Sequence, residues 1–352
     1  MNWRQNLETK FTRWKIKRGM NDLENNDIVI TSRIRLARNL KNYKFPIIMS
    51  EAEANCVIGE ISNALSKHDK NYKLTYIKDL SDIKKNSLIE NHIISPALAN
   101  KKDAGAFLLS PDQKISVMIN EEDHIRIQTI EDGLSLRECW EISNNVDDII
   151  EENVDYAFDN ELGYITACPT NIGTGMRASV MLHLPALSIT NQIDKLLYGV
   201  SQLGVAVRGV YGEGTKSIGH LYQISNQGTL GVSEETLIEK INQIVMQIIE
   251  KENKTRDHLL KNNYDDLEDD FYRAYGLLTN ARKISSDEAM KLLSLIKLGS
   301  EMGITPMVKG KNIYRLMVWS QPNNISTIEE KELSPKERDK KRAEIIRSEL
   351  LS

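Results

Sequence analysis

The stretch "KISVMINEEDHIRIQTI", residues 114–130, decides the fold class of this chain. The runs "KISVMIN" and "IRIQTI" each alternate apolar and polar residues, and this alternation predicts two half-buried β-strands. The turn and the residues directly behind it combine three carboxylates with two basic side chains: Glu121, Glu122, Asp123, His124 and Arg126. Because crowded like charges repel, this segment is either a solvated acidic turn or part of a functional site. The residues alone leave both interpretations open.

Further runs have the β-rich composition of short strands: "YKLTYI" from 72, "AFLLS" from 106, "GYITACP" from 163, "VAVRGV" from 205 and "LYQISNQ" from 221. A stretch from 179, "SVMLHLPALSITNQIDKLLYGV", is interpreted as helical. Many short strands with few regular strand–helix alternations predict an α+β fold, in which helices flank a largely antiparallel β-sheet.

Helix-start signals divide the chain into two parts. Ser50 with Glu53 forms a capping box that predicts a helix to about residue 67. A long amphipathic helix begins after Ser233, and capping boxes at 285–288 and 334–337 open two later helices. We therefore predict an α+β domain over 1–254 and an all-α domain over 255–352.

Composition limits the function classes. The net charge of −4 gives no global attraction to nucleic acid or anionic lipid, so neither is an expected partner. Cys56, Cys139 and Cys168 have no zinc-ligand spacing, which suits a reducing compartment. No apolar run approaches the ~18 residues of a membrane span. A helix with Trp3 and Trp14 on its apolar face is expected to dock on the body, with a membrane-surface helix as the alternative; the expected location is cytoplasmic.

Two glycine-rich segments resemble nucleotide-binding motifs without matching them. "GTGMRA", residues 173–178, has G-x-G-x-x-A spacing, but its supporting acid, Asp194, falls inside a predicted helix. "GVYGEGTKS", residues 209–217, places Thr215 before Lys216, whereas a P-loop lysine follows the last glycine directly. Both segments are still glycine turns that allow the backbone to approach a ligand closely.

Five arginines lie beside strand ends, glycine turns or the acidic motif: Arg33, Arg35, Arg126, Arg177 and Arg208. Arg33 and Arg35 are two residues apart, so in an extended strand both point to the same face. A single arginine of this kind is more often a surface charge than a ligand. Because arginine grips phosphate oxygens with a rigid, permanently charged fork, five together predict a triphosphate site without a P-loop.

Four motifs in order, "TSRIRLARN", "NEEDHIRI", "CPTN-GTG-RASV" and "RGVYGEGT", resemble the catalytic domain of the phosphagen (guanidino) kinases over about 24–254. Within that family the chain is similar to the bacterial protein-arginine kinases of the McsB type. Arginine and creatine kinases carry a long helical domain before the first of these motifs. In this chain that motif begins near residue 31. The chain also carries "RDKKRA", residues 338–343, which is similar to the RDxxRA phosphoarginine-binding motif. The resemblance implies a phosphagen-kinase-like domain followed by an all-α domain.

The resemblance implies a kinase that uses ATP and Mg²⁺. The implied ATP-binding residues are Thr31, Ser32, Arg33, Ile34, Arg35, His92, Arg126, Arg177, Ala178, Ser179, Val180, Met181, Arg208, Gly209, Val210, Tyr211, Gly212 and Glu213. The implied catalytic residues are Glu122, Glu213 and Cys168. Glu121 and Asp123 would support the negative potential or the Mg²⁺ environment, with no direct protein ligand of the metal assigned. For His92 and Cys168 the residues themselves leave a packed structural role open.

The expected reaction transfers the γ-phosphoryl group of ATP to arginine. A guanidinium nucleophile stays protonated at ordinary pH, so an anionic group must orient it and accept a proton. Without a domain that closes around a free amino acid, an arginine displayed on a protein is the expected acceptor. The alternatives are a kinase for free arginine or another small guanidino compound, and a non-catalytic reader of phosphoarginine.

Regulation and partners are expected from the same resemblance. Arg338, Asp339 and Arg342 would form an allosteric phosphoarginine pocket, although their spacing alone favours a solvated, charged helix face. The implied partners are an McsA-type activator, a CtsR-type repressor and the ClpC/ClpP machinery, with marked proteins passing to Clp-type degradation. A homodimer is also expected.

Overall fold

The computed structural model of the protein describes residues 28–101, 104–210 and 217–352. The helix predicted around residues 3–14 lies outside these residues, as does the segment 211–216. The described residues form one eight-stranded sheet, a two-stranded hairpin, helices on both faces of the large sheet and a helical C-terminal region.

The sheet is antiparallel at every pairing of neighbouring strands, and its strand order is β2-β3-β4-β5-β1-β8-β10-β9. The strands are β1 Val29–Arg38, β2 Lys73–Tyr76, β3 Ala106–Leu109, β4 Ile115–Ile119, β5 Ile125–Asp132, β6 Phe158–Asp159, β7 Gly163–Tyr164, β8 Met176–His183, β9 Val205–Gly209 and β10 Leu221–Asn226. The hairpin is β6–β7. The predicted α+β class and the largely antiparallel sheet are confirmed.

The helices are α1 Glu51–His68, α2 Asp82–Glu90, α3 Pro96–Ala99, α4 Leu136–Glu151, α5 Pro185–Ile189, α6 Ile193–Ser201, α7 Glu234–Asn262, α8 Tyr264–Asn280, α9 Ser286–Glu301, α10 Ile313–Trp319, α11 Pro322–Ile328 and α12 Pro335–Leu351. Both Ser50 and Ser334 form complete capping boxes, as their sequence context predicts. Helix α7 runs through residue 254, where the sequence places the boundary between the two predicted domains.

One face of the sheet is covered by the main hydrophobic core. Ile34 and Leu36 of β1 point to this face and are fully buried. They belong to the same cluster as Ile61 of α1 and Ile241 of α7. Ile34 and Leu36 alternate with Arg33 and Arg35 along β1. The apolar side chains therefore point into the core, and the charged side chains point to the opposite face of the sheet.

Among the described residues, the opposite face is covered only at its ends. Phe107 and Met118 pack against α2 and α3 in one small cluster. Ile30, Met181 and Leu221 pack against the C-terminal helices in another. Between these two covers the middle of the sheet carries polar and charged side chains.

The helix predicted from residue 179 is wrong at its start. Residues 176–183 form the strand β8, and helices begin only at Pro185 and Ile193. Nearly every residue of β8 is buried, since it lies between two strands and under packed elements. A strand buried on both faces reads as a continuous apolar run, which periodicity cannot distinguish from a buried helix. In "GYITACP" the strand is only Gly163–Tyr164.

Candidate active site

The strand register brings the five predicted arginines onto one face of the sheet. Residues directly opposite each other in antiparallel strands share a face, as do residues two apart along one strand. Arg35 lies opposite Arg177, and the same register places Arg33, Arg126 and Arg208 on that side. We call the surface defined by these five side chains the arginine face.

The arginines at the centre of this face are partly buried, lie close together and repel one another. Arg33 donates through Nη2 to Gln223 Oε1 at 2.7 Å and through Nε to Ser179 Oγ at 3.3 Å. Burial, and then the charge of Arg177, lowers the pKa of Arg33 to about 10. Burial also lowers the pKa of Arg35 well below its usual range, and Arg33 is its strongest repelling neighbour. A bound polyanion would cancel this repulsion.

A glycine turn leads into the strand that carries Arg177. Gly173 has φ +112°, and a Cβ built there would lie 2.3 Å from the carbonyl oxygen of Thr229. This position therefore requires glycine for both conformation and space. At the end of the turn, Arg177 Nη2 donates to Ser225 Oγ at 2.9 Å. Since β8 follows these glycines where a dinucleotide fingerprint needs a helix, the G-x-G-x-x-A spacing is not a Rossmann motif here.

The acidic turn sits at the edge of the arginine face. Glu121 is buried and its Oε1 accepts from Arg126 Nη1 at 2.5 Å. Glu122 Oε2 lies 3.5 Å from Arg126 Nη2, while 46% of its side chain is exposed. Glu121 therefore holds Arg126, and Glu122 presents a carboxylate to solvent beside it. Asn120 opens the turn with φ +61°, a conformation that asparagine tolerates well.

Asp123 has a positioning role that the sequence did not reveal. Its Oδ1 accepts from Asn39 Nδ2 at 2.6 Å and from the Ala167 N–H at 2.7 Å, and only 1% of the residue is exposed. The acidic turn is thereby tied both to the end of β1 and to the loop that contains Cys168. Asn39 was missed as a site residue, although its place directly after β1 in "TSRIRLARN" is the available signal.

His124 is a packed residue of the turn. Its Nδ1 accepts from the Leu40 N–H at 3.1 Å, and Nε2 lies 2.8 Å from the carbonyl oxygen of Lys44. This pair of partners requires the neutral tautomer with the proton on Nε2. Burial lowers the pKa of His124, which agrees with a neutral ring. The histidine therefore fixes the turn and adds no charge to it.

Cys168 lies in the loop that Asp123 holds. The thiol is partly buried, and its Sγ lies 3.0 Å from Thr170 Oγ1 at the start of the 3-10 turn Pro169–Asn171. It lies within electrostatic range of Arg177, so the loop faces the arginine face. The other predicted catalytic carboxylate, Glu213, lies outside the described residues, together with Tyr211 and Gly212.

His92 borders the arginine face from the segment after α2. Its backbone is left-handed, with φ +58°, and its carbonyl oxygen accepts from Gln128 Nε2 at 2.8 Å. Burial, and then the charge of Arg33, lowers the pKa of His92 to about 4. At neutral pH this residue therefore supplies a neutral polar ring beside the arginines.

The predicted phosphoarginine pocket lies apart from these residues, on helix α12. Arg342 is buried and donates to the carbonyl oxygens of Ser320 and Ile284 at 2.7 and 2.9 Å, and to Asp339 Oδ1 at 2.7 Å. Arg338 and Asp339 are only partly buried, and the charge of Arg338 acts on Glu90 of α2. The three predicted residues are thus neighbours, but Arg342 already has structural hydrogen bonds.

Comparison with known proteins agrees with this arrangement. The family model of the ATP:guanido phosphotransferase C-terminal catalytic domain matches residues 54–255. The model of the protein-arginine kinase McsB C-terminal domain matches residues 264–352. A protein-arginine kinase from Clostridium kluyveri is 48% identical over 329 residues, which are 93% of this chain and 95% of that protein. The chain belongs to the protein-arginine kinase family.

Other protein-arginine kinases and solved guanidino kinases are similar too. The protein-arginine kinase of Halalkalibacterium halodurans is 44% identical over 94% of this chain and 93% of its own length. A crystal structure of lombricine kinase matches with a TM-score of 0.57 and 26% identity, over 65% of this chain and 67% of that one. The duplicated taurocyamine kinase of Schistosoma mansoni, at 22% identity and a TM-score of 0.59 over 74% of this chain and 38% of that one, shares the fold.

The acidic turn of this protein-arginine kinase family member offers oxygen donors but no complete metal cage. Glu121 Oε2 and Asp123 Oδ2 are buried without a hydrogen-bond partner among the described residues. Within the same residues, no group of three or more His, Cys, Asp or Glu side chains could hold a metal ion. Mg²⁺ is usually bound by one or two carboxylates together with the phosphates of the substrate. Glu121 and Asp123 therefore fit an ion that arrives with ATP. No helix of the described chain is long and apolar enough to cross a membrane.

Proposed function

We propose that this chain transfers the γ-phosphoryl group of ATP to arginine side chains displayed on proteins. The observation that carries the proposal is the arginine face, with Glu122 exposed at its edge beside Arg126. Phosphoryl transfer to a guanidinium is helped by a carboxylate that accepts its proton and by positive charge around the transferred group. The high identity to proteins named protein-arginine kinase supports the same conclusion.

The arginine face would bind the triphosphate. Arg33, Arg35 and Arg177 are held at the centre of a rigid sheet, so they need little rearrangement to meet the charge of the transferred group. Mg²⁺, when bound with ATP near Glu121 and Asp123, would supply further neutralisation of the phosphates. The protein's main contribution is therefore in-line positioning and charge compensation.

The acceptor guanidinium would bind between the acidic turn and the Cys168 loop. Glu122 would accept hydrogen bonds from two guanidinium nitrogens and take the proton that the attacking nitrogen releases as the N–P bond forms. Glu213 is proposed for the opposite side of the same guanidinium. Cys168, facing Arg177 from its loop, would contact the planar group and help fix its orientation. Hydrogen bonds from Asn39 and Ala167 to Asp123 keep this turn and this loop together.

A protein acceptor is favoured because the proposed guanidinium site is accessible. Glu122 exposes 46% of its side chain, and the Cys168 loop lies at the surface next to exposed residues on both sides. An arginine that projects from another protein can reach such a position without full enclosure. The second candidate, a kinase for free arginine, requires a pocket that closes around the whole amino acid.

Incubation with ATP, Mg²⁺ and either an arginine-rich protein or free arginine tests the proposal. We expect acid-labile phosphate on the protein and little transfer to free arginine. Preferential labelling of free arginine would favour the small-guanidine kinase instead. Absence of transfer to both acceptors, with binding of phosphoarginine retained, would favour a non-catalytic reader.

The biological setting is proposed from the same family membership. Phosphorylated arginine would mark proteins for the ClpC/ClpP machinery, and a CtsR-type repressor would be one regulated target. An McsA-type activator, a homodimer and a cytoplasmic location belong to this proposal. Arg338, Asp339 and Arg342 would form an allosteric pocket for phosphoarginine, supported by their grouping at the start of α12.

A further inference from the structure

A cavity of about 220 Å³ lies between the sheet and the C-terminal helices. Strand residues Thr31, Arg33 and Ser179 line one side of it, and Asn312, Tyr314 and Trp319 line the other. The strand residues lie on the arginine face, so the cavity is a lateral continuation of that face beneath α10. The helical residues fall outside the 54–255 match to the guanidino kinase catalytic domain.

The size of the cavity fits part of a nucleotide better than a whole one. Pockets that enclose drug-sized ligands have volumes of roughly 300–1,000 Å³. A space of about 220 Å³ is therefore suited to the base and part of the ribose. Because Arg33 belongs both to this cavity and to the arginine face, a triphosphate on that face would direct its nucleoside into the cavity.

The walls of the cavity have the chemistry that a nucleobase requires. Tyr314 is partly buried, lines the cavity from α10 and lies close to Arg33. Arg315 stacks on Trp319 with its guanidinium carbon 3.8 Å from the ring centroid, which makes that part of the wall flat. Flat aromatic surfaces bind any base by stacking, while His92 and Gln223 border the same space with neutral polar groups.

We infer that the C-terminal helical region completes the nucleotide site, with Tyr314 as the residue on which the base of ATP stacks. The inference rests on the proposed function in one respect, namely that the triphosphate occupies the arginine face. It makes α10 a part of nucleotide recognition, in addition to any role of the C-terminal region in reading phosphoarginine.

The helix that carries this wall is held firmly against the catalytic part. Ile313 and Met317 of α10 share an apolar cluster with Ile30 and Met181 of the sheet. Beside the cavity, Glu301 of α9 forms an ion pair with Arg256 of α7 at 3.0 Å. A wall fixed in this way can bind a base without first having to be ordered.

The experiment measures the Kd of ATP and of inorganic tripolyphosphate by calorimetry on the full chain, with Mg²⁺ present and no arginine acceptor. We expect Tyr314→Ala to weaken ATP binding about tenfold, within the range that alanine substitution of a base-stacking aromatic produces. Tripolyphosphate should bind this variant as it binds the wild type, because the arginine face is unchanged. Tyr314→Phe should keep the affinity for ATP.

Tyr272→Ala is the matched control, since Tyr272 is 45% exposed on α8 and does not line the cavity. It should bind both ligands as the wild type does. Equal ATP affinity in Tyr314→Ala and wild type would overturn the inference, and so would equal losses for ATP and tripolyphosphate. Equal ATP affinity in the two proteins, together with normal arginine phosphorylation, would leave the proposed function intact. A wild type that binds ATP without phosphorylating arginine would contradict only the proposed function.

Discussion

At the scale of single residues, the proposed phosphoryl transfer depends most on the exposed carboxylate of Glu122. Glu122→Gln keeps its size but removes the proton acceptor and the negative charge. We expect phosphoryl transfer to fall by roughly 100-fold or more, with the Kd of ATP nearly unchanged, because phosphates contact arginines. Single-turnover rates and calorimetry measure the two effects separately. Glu141→Gln, an exposed glutamate on α4, is the control, and wild-type turnover in Glu122→Gln would contradict the proposed proton transfer.

Asp123 is expected to be more important for structure than for charge. Asp123→Ala leaves Asn39 and the Ala167 N–H without their buried acceptor. Each unpaired group costs about 1–3 kcal/mol, so urea denaturation should show a clear loss of stability. Activity should fall in parallel because the Cys168 loop loses its anchor. Full activity with unchanged stability would mean that this carboxylate does not position the loop.

Residue types and spacing were sufficient to find the arginines, but not the residues that hold them. Side chains alternate between the two faces of the sheet along β1, so Arg38 lies on the face opposite to Arg33 and Arg35. Arg38 is buried there and forms an ion pair with Asp147 at 2.6 Å. The Asp147 partner is 109 residues distant along the chain, and no local pattern encodes such a pairing. The same applies to the contact between Asp123 and Ala167.

At the scale of elements, helix starts were predictable and one strand was not. Ser50 and Ser334 cap their helices as expected, since capping depends on residues within one turn. Strand β8 was mistaken for a helix because its identity depends on its neighbours β1 and β10. The position of α10 above the arginine face is likewise a tertiary fact, which left Tyr314 unpredicted.

The predicted phosphoarginine pocket on helix α12 can be tested by replacing Arg338 and Arg342 one at a time. Arg342→Ala would leave two backbone carbonyl oxygens unpaired, so it should lower stability by about 1–3 kcal/mol. Arg338→Ala removes a partly exposed charge and should leave the melting temperature nearly unchanged. We expect this single variant to abolish phosphoarginine binding away from the active site, measured by calorimetry in a Glu122→Gln background. Lys340→Ala on the exposed side of α12 is the control, and binding retained by Arg338→Ala would indicate a solvated helix face.

At the scale of the whole molecule, buried histidines couple stability to pH. Ser294 of α9 lies 2.8 Å from both His183 Nε2 and His220 Nδ1, which joins α9 to the sheet. Burial lowers the pKa of both rings, and that of His183 lies well below its usual range. The unfolded chain takes up protons near pH 6.5 that the folded chain does not, so stability should fall as pH decreases through this value.

Urea denaturation at pH 7.5 and pH 5.5 measures this dependence. A lower midpoint at pH 5.5 is expected in the wild type. His183→Gln should have a shallower dependence, by at most about 1.4 kcal/mol per pH unit for one proton. An identical pH dependence in the variant would mean that His183 is protonated equally in the folded and unfolded chains.

Strand β1 is the first strand of the described chain, yet it lies at the centre of the sheet, where Val29 is paired with Leu182. During synthesis on the ribosome, β1 emerges long before β8 exists to cover its second edge. Pairings of such high sequence separation form late, and an exposed edge favours aggregation in the meantime. The nascent chain therefore remains vulnerable until residue 183 of 352 has been made, and the proposed site for the base of ATP is complete only after α10 has left the exit tunnel.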